Sequence, residues 1–448
     1  YIASQAQRYP DLDLQPLAIP PGVARAPRDE ALARQIAQQV IARWITLGYL
    51  CQQFLKSAWN NTQPELKAAL LVGSAQILLL DRVPAYAAVD HAVGWARQSL
   101  RAGASKVVNA VLRRIAELVD ESGATVDYVD RQDQVPLSSG AARPLRQPLL
   151  PSDRAERLAM STGHPRKVIE RWIAQHGPDA AHDLALHSLC EPPTIFNTSF
   201  ARTPLPLALQ PHSEPGHHDF NGTRQELLEI VDTRHDLWVQ DPASSRAIRD
   251  AAKALASAGA GAGAGAGAAS PRQIVDLCAG LGTKTRQLAA TFPGANIIAT
   301  DPDERRFALL QELFAGHPRV RALPTAQVLA EQQGRADLIL LDVPCSNSGV
   351  LARRPEAKYR LSDANLAKLG KVQRDILTRA AGLLAPSGSI LYSTCSLEPV
   401  ENEDQVGWAC KTLGLVARGP GTLLPAGAPG GPPTQYHDGA FSALLRRQ

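Results

Sequence analysis

The sequence predicts an α/β chain, with a doubly wound parallel-sheet domain in its second half and an all-helical region before it. Three observations carry this. Beyond Pro271, short runs at 274–277, 297–300, 338–341 and 390–393 are apolar on both faces and alternate with helix-length segments. That is the pattern of strands buried between two helical layers. Before residue 121, apolar positions instead recur at helical spacing, as in Ile36, Val40, Ile41 and Trp44, and again in Leu66, Leu70, Leu71, Ile77 and Leu78. Finally, 44% hydrophobic and 20% charged residues in 448 are ordinary for packed domains, and the length implies two or three of them.

In chain order, helical segments fill residues 29–121, with Pro84 just ahead of one of them, where a helix tolerates proline. Polar residues and prolines break the pattern at 122–150, which reads as loop. Helix returns at 152–189, and 194–238 is mixed, with strand-like pieces such as 194–197. The expected domains are therefore 1–150, all helical; 151–240, a helical linker with a small mixed α/β part; and 241–448, the doubly wound domain. Alternating Gly and Ala at 258–269 reads as a flexible surface loop of low complexity.

Several function classes are excluded or disfavoured by composition. The longest apolar run, 68–80, is interrupted by Gly73, Ser74 and Gln76 and is too short for a bilayer, so no membrane partner is expected. Six scattered cysteines without a C-x-x-C pair argue against a disulfide framework or zinc site, and a reducing cytoplasm is the expected setting. His212, His217 and His218 lie in a polar loop without further ligand spacing, so no metal is expected. A net charge of +4 is compatible with a nucleic-acid partner without demanding one. A monomer is expected.

The chemistry collects at strand ends. The first strand runs into Asp276-Leu-Cys-Ala-Gly-Leu-Gly-Thr-Lys284, the second into Asp301, a later one into Asp342-Val-Pro-Cys345, and the next into Thr394-Cys395-Ser396. In a doubly wound sheet all these ends open on one crevice. A glycine loop lets backbone approach a ligand, and an acid ending the next strand can hold ribose hydroxyls. The loop is not G-x-G-x-x-G, so S-adenosylmethionine is favoured over a dinucleotide. A lone cysteine in such a domain is usually a small buried hydrophobe. Two of them, each just past a strand end at one crevice, point instead to thiol chemistry. Cys278 sits in the tight glycine turn, where packing is the simpler role.

The segments DLCAGLGTKT, TDPDER, LDVPCSNSGVLARRPEAKYR and YSTCSLEPVENE together resemble the Sun/Fmu (RsmB-type) family of RNA cytosine-C5 methyltransferases. LLVGSAQILLLDRVPAYAAVDHAV and KVVNAVLRR resemble the NusB-like RNA-binding domain carried ahead of them, DLWVQDPASS resembles the approach to their catalytic domain, and DGAFSALLRR their last strand. The resemblance implies a Rossmann-like S-adenosylmethionine-dependent methyltransferase domain behind an all-α NusB-like domain. It implies Cys395 as the nucleophile at cytosine carbon 6, Asp342 as the group holding N3 and the exocyclic amine, and Cys345 as the residue assisting release. Cofactor contacts fall on Asp276, Cys278, Ala279, Gly280, Leu281, Gly282, Thr283, Lys284, Asp301, Thr325 and Asp342. Arg353, Arg354 and Lys358 are expected on RNA phosphates, Arg97, Arg101, Lys106, Arg113 and Arg114 could add a face for RNA, and segment 151–240 is expected to help bind it. The implied substrate is 16S rRNA or a small-subunit assembly intermediate, with the target base flipped or single-stranded.

The chain departs from the family pattern A-A-P-G-G-K at Leu281 and Thr283, has Thr325 where an acid is usual, and has Asn347 where Gly or Ala is common. Two alternatives stay open: the same chemistry on tRNA or 23S rRNA, or an RNA-binding assembly factor with weakened catalysis.

Overall fold

The computed structural model describes residues 1–14, 26–81, 83–101, 103–120, 123–260 and 270–447. Most of the Gly/Ala run expected as a loop lies outside them; its first three residues, 258–260, end a helix. The chain forms two compact units. The first comprises Tyr1–Glu191 with Leu351–Leu361 and Gly427–Gly431, and the second the remainder.

The first unit contains α1 (Ile2–Arg8), α2 (Pro27–Ala42), α3 (Trp44–Gln52), α4 (Pro64–Leu79), α5 (Ala85–Ser99), α6 (Ala104–Glu117), α7 (Arg154–Thr162), α8 (Arg166–His176) and α9 (Pro178–His187). Val40, Ile41, Leu47, Leu70, Leu71 and Leu112 are fully enclosed and form the centre of one apolar cluster. Two sequence expectations need correction. Residues 122–150 are not simply loop: β1 (Val126–Asp127), β2 (Gln134–Pro136) and β3 (Ala141–Pro144) make an antiparallel sheet in the order β1-β3-β2. Strands of two to four residues are too short to show an alternation, so they escaped the pattern. The first unit is therefore not all helical, and the helices at 154–187 belong to it rather than to the mixed segment that follows.

Buried cations are a feature of this unit. Helix C-termini leave carbonyls unpaired and carry partial negative charge. Arg43 donates to Ser161 O at 2.6 Å and to Pro136 O at 2.8 Å, and Arg143 donates to Leu78 O at 3.1 Å. Lys358, fully enclosed, donates to Ala42 O at 2.7 Å and Thr162 O at 3.3 Å, the ends of α2 and α7. Tyr359 adds a bond to Ile41 O at 2.7 Å.

The second unit opens with an antiparallel sheet of β4 (Ile195–Asn197), β5 (Leu209–Pro211), β6 (His217–Phe220) and β7 (Trp238–Val239), ordered β5-β6-β4-β7, with α10 (Arg224–Thr233). After α11 (Pro242–Ala260) comes the main sheet. Its strands are β8 (Gln273–Asp276), β9 (Asn296–Ala299), β10 (Val320–Ala322), β11 (Ala336–Asp342), β12 (Leu384–Thr394), β13 (Leu415–Leu423) and β14 (Ala440–Arg447), in the order β10-β9-β8-β11-β12-β14-β13. The first five run parallel; β14 is antiparallel to β12, and β13 is antiparallel to β14. The helices are α12 (Thr283–Thr291), α13 (Glu304–Leu313), α14 (Thr325–Glu331), α15 (Asp363–Leu383) and α16 (Glu403–Leu413). Ile339 and Leu341 pack into one apolar cluster, while Leu338 and Leu340 pack into another. Alternate residues of β11 thus face opposite layers, which is why its sequence is apolar throughout. Strand order reverses between β8 and β11, the position where such sheets leave a crevice.

Candidate active site

β11 and β12 are parallel neighbours with Asp342 opposite Ser393. Continuing both strands by two or three residues therefore brings their turns together. Cys345 Sγ lies 3.3 Å from Cys395 Sγ. Asp342 is fixed at both oxygens: Lys284 Nζ, from the first turn of α12, sits 2.6 Å from Oδ2, and Ser393 Oγ donates to Oδ1 at 2.9 Å. These groups line one cavity of about 420 Å³, the scale of a small-molecule site, together with Asn347, Arg246 and Arg306. The Cys395 thiol is held well above the ordinary thiol range by its hydrogen bond with Cys345 and by burial, with the Asp342 charge adding and Lys284 opposing.

A buried carboxylate ties the two thiol-bearing turns. Glu401 Oε1 accepts from Ser346 N at 3.0 Å and from Gln373 Nε2 at 3.1 Å, and Oε2 accepts from Ser396 Oγ at 2.6 Å. Asn402 accepts from Thr394 Oγ1 at 2.6 Å and donates to Ser396 O at 2.8 Å. The residues beside each cysteine are therefore held by one short segment, 401–402.

The glycine loop is built around Asp301. Its Oδ2 accepts from Gly280 N and its Oδ1 from Asp303 N, each at 3.0 Å. Gly282 begins α12 at φ 84°, and a side chain there would meet Leu313 at 2.7 Å. Only glycine combines that conformation with that space. Asp276 is enclosed: Thr285 Oγ1 donates to its Oδ2 at 2.7 Å, and burial pushes its carboxyl up to about 7. Thr325 Oγ1 lies 2.8 Å from Thr300 Oγ1, at the end of β9.

Residues 268–416 match the family model described as 16S rRNA methyltransferase RsmB/F, and residues 21–117 match the NusB family. Residues 268–416 therefore carry an RsmB/F-type methyltransferase domain, and residues 21–117 a NusB-family region. Among the chain's relatives, the ribosomal RNA small subunit methyltransferase B of Vibrio cholerae is 27% identical, covering 94% of this chain and 90% of its own. The protein of the same name in Xanthomonas campestris is 28% identical over 95% and 90%. The crystal structure of PH0851 shares the fold, with a TM-score of 0.67 and 20% identity over 95% of this chain and 91% of that one.

S-adenosylmethionine is the cofactor of this methyltransferase fold, and the residues present suit it. No atom lies within 4 Å of the position a side chain would take at Gly280, so the loop backbone is open to a ligand. The Asp301 carboxylate stands beside it, and the buried Asp276 Oδ1 lacks a hydrogen-bond partner.

The structure gathers Cys345, Cys395, Asp342 and Lys284 at one cavity, with the loop from Asp276 to Thr283 and Asp301 at neighbouring strand ends. Cys278 is shielded, and burial pushes its thiol far up, as befits packing. Arg353, Arg354 and Lys358 belong instead to the first unit. Lys358 is a correction: an enclosed ammonium capping two helix ends has no surface for a phosphate. Arg354 is exposed, with Glu356 3.9 Å away. Sequence reasoning missed Ser393, Arg246, Arg306 and Glu401. Ser393 had a signal, since it lies directly opposite Asp342; the others are joined to the site only by the fold. Among the described residues no group of metal-ligating side chains converges, and no helix is long and apolar enough to cross a membrane.

Proposed function

We propose that this methyltransferase acts on carbon 5 of a cytosine in 16S rRNA, with Cys395 attacking and Cys345 releasing. The carrying observation is the pair of thiols 3.3 Å apart beside the Lys284–Asp342 ion pair in one cavity. Carbon 5 of cytosine is a poor nucleophile. Addition of the Cys395 sulfur to carbon 6 converts it to an enamine-like carbon. The proton given up by the thiol is balanced by one taken up at ring N3, where Asp342 accepts hydrogen bonds from N3–H and the exocyclic amine. S-adenosylmethionine, when bound, supplies the methyl group as an electrophile. Cys345 then assists loss of the carbon 5 proton, and the carbon–sulfur bond breaks to restore the ring and the Cys395 thiol. The base must leave any stack to be reached this way. Arg353 and Arg354 are assigned to backbone phosphates, as is a groove of the first unit lined by Arg97, Lys106, Arg113 and Tyr86. The small-subunit ribosomal RNA methyltransferases among the relatives and the NusB-family match support ribosomal RNA as the substrate, in the cytoplasm where ribosomal subunits assemble.

The test incubates the protein with labelled S-adenosylmethionine and unmodified 16S rRNA and maps 5-methylcytosine. Cys395→Ala is expected to abolish both turnover and covalent attachment, and Cys345→Ala to accumulate an RNA–protein adduct. Absence of methyl transfer together with absence of cofactor binding would sink the reading. An adduct on Cys395→Ala but not on Cys345→Ala would reverse the two roles.

A further inference from the structure

The two thiols have a third partner. Asn347 lies two residues past Cys345 at φ 61°, and among the described residues it is the one non-glycine with positive φ. Asparagine tolerates this left-handed conformation better than most residues that carry a Cβ. Its side chain reaches both cysteine turns. Nδ2 donates to Cys345 O at 3.2 Å, and Cys395 Sγ lies 3.2 Å from Oδ1. The orientation of the amide follows from these partners. The carbonyl of Cys345 can only accept, so the NH₂ end must face it, and the oxygen is left facing the sulfur. An amide oxygen can only accept in turn, so the sulfur that meets it brings a proton. The single Cys395 proton therefore faces two acceptors, Asn347 Oδ1 and the Cys345 sulfur.

We propose that Asn347 is a positioning residue for the nucleophile, fixing the Cys395 side chain and keeping its sulfur protonated until the target base enters. This rests on Cys395 as the attacking group. The proton held on sulfur is the one balanced at ring N3 when the carbon–sulfur bond forms. A protonated thiol also resists stray electrophiles, because the thiolate is the reactive species. The other groups facing Cys395 are Cys345, Asp342 and Lys284, and the cavity also holds Arg246, Arg306 and Asp438. Cys345, burial and Asp342 act in the same sense as Asn347, and Lys284 acts against it.

The test measures alkylation of Cys395 by iodoacetamide across pH, resolved by site with mass spectrometry, on the full chain without RNA or cofactor. Asn347→Gly keeps the backbone conformation and removes the acceptor. It should move the reaction to lower pH and speed alkylation at pH 7.5 by about three- to tenfold, the worth of one hydrogen bond. Asn347→Asp keeps an acceptor and adds negative charge, and should move the reaction to higher pH. In methyl-transfer assays Asn347→Gly should lower kcat with KM for RNA unchanged. A Gly profile superimposable on the parent, or Gly and Asp shifts of the same sign, would overturn the proposal. Failure of methyl transfer in every form, parent included, would count against the proposed reaction and leave the alkylation result readable.

Discussion

At the scale of single residues, the Lys284–Asp342 pair sets the charge of the site. A carboxylate beside a buried thiol makes the thiolate costly, and an ammonium at 2.6 Å offsets that. Lys284 also directs Asp342 by leaving Oδ1 to Ser393 Oγ. Replacing Lys284 by methionine retains the stem and removes the charge, so the uncompensated Asp342 should do two things. It should slow alkylation of Cys395 at fixed pH, and it should lower kcat by roughly ten- to a hundredfold, the worth of one charge-assisted hydrogen bond. Alkylation kinetics and single-turnover methylation check the two effects separately. Unchanged alkylation with a lowered kcat would assign Lys284 to the cofactor or base alone.

At the scale of elements, spacing between the thiols depends on two turns that have no regular structure. Glu401 holds both, accepting from the backbone of one and a serine hydroxyl of the other while Gln373 supports it from α15. Glu401→Gln is nearly isosteric but places an NH₂ where an acceptor is needed, so at least one buried donor loses its partner. That costs about 1–3 kcal/mol, read as a lower denaturant midpoint, and release of the adduct should slow because Cys345 is no longer held against Cys395. An unchanged midpoint would mean the turns are fixed by other contacts. This clamp marks where sequence reading stopped. The strands were legible because burial on both faces forces unbroken apolar runs, and the cysteines were legible because each lies within three residues of a strand end. Glu401 lies 55 residues from Ser346, and its role exists only after the fold joins them. Lys358 was misread for the same reason: a lysine among arginines looks like a phosphate contact until two helix ends are seen to enclose it.

At the scale of the whole molecule, two buried groups of the second unit give opposite pH dependences. Burial pushes the Asp276 carboxyl up to about 7 and pushes the His217 imidazole down to about 4. For Asp276 the folded state prefers the proton, so its contribution to stability is complete below the unfolded carboxyl value and is lost as pH rises toward 7. For His217 the folded state refuses the proton, since the ring is enclosed with Nε2 2.9 Å from Ser245 Oγ. Its contribution is complete above the unfolded imidazole value, about 6.5, and is lost as pH falls toward 4. Between pH 4 and 6.5 the folded pair carries one proton, on Asp276, and the unfolded pair also carries one, on histidine. The two slopes therefore cancel over that window. Breaking the pair should expose each slope. Relative to the parent, Asp276→Asn should gain stability with rising pH from 4 to 6.5, and His217→Gln should lose it, each by up to about 1.4 kcal/mol per pH unit. Urea denaturation of parent and variants at several pH values reads this directly. Parallel curves for parent and variants would show that neither group is held away from its ordinary value.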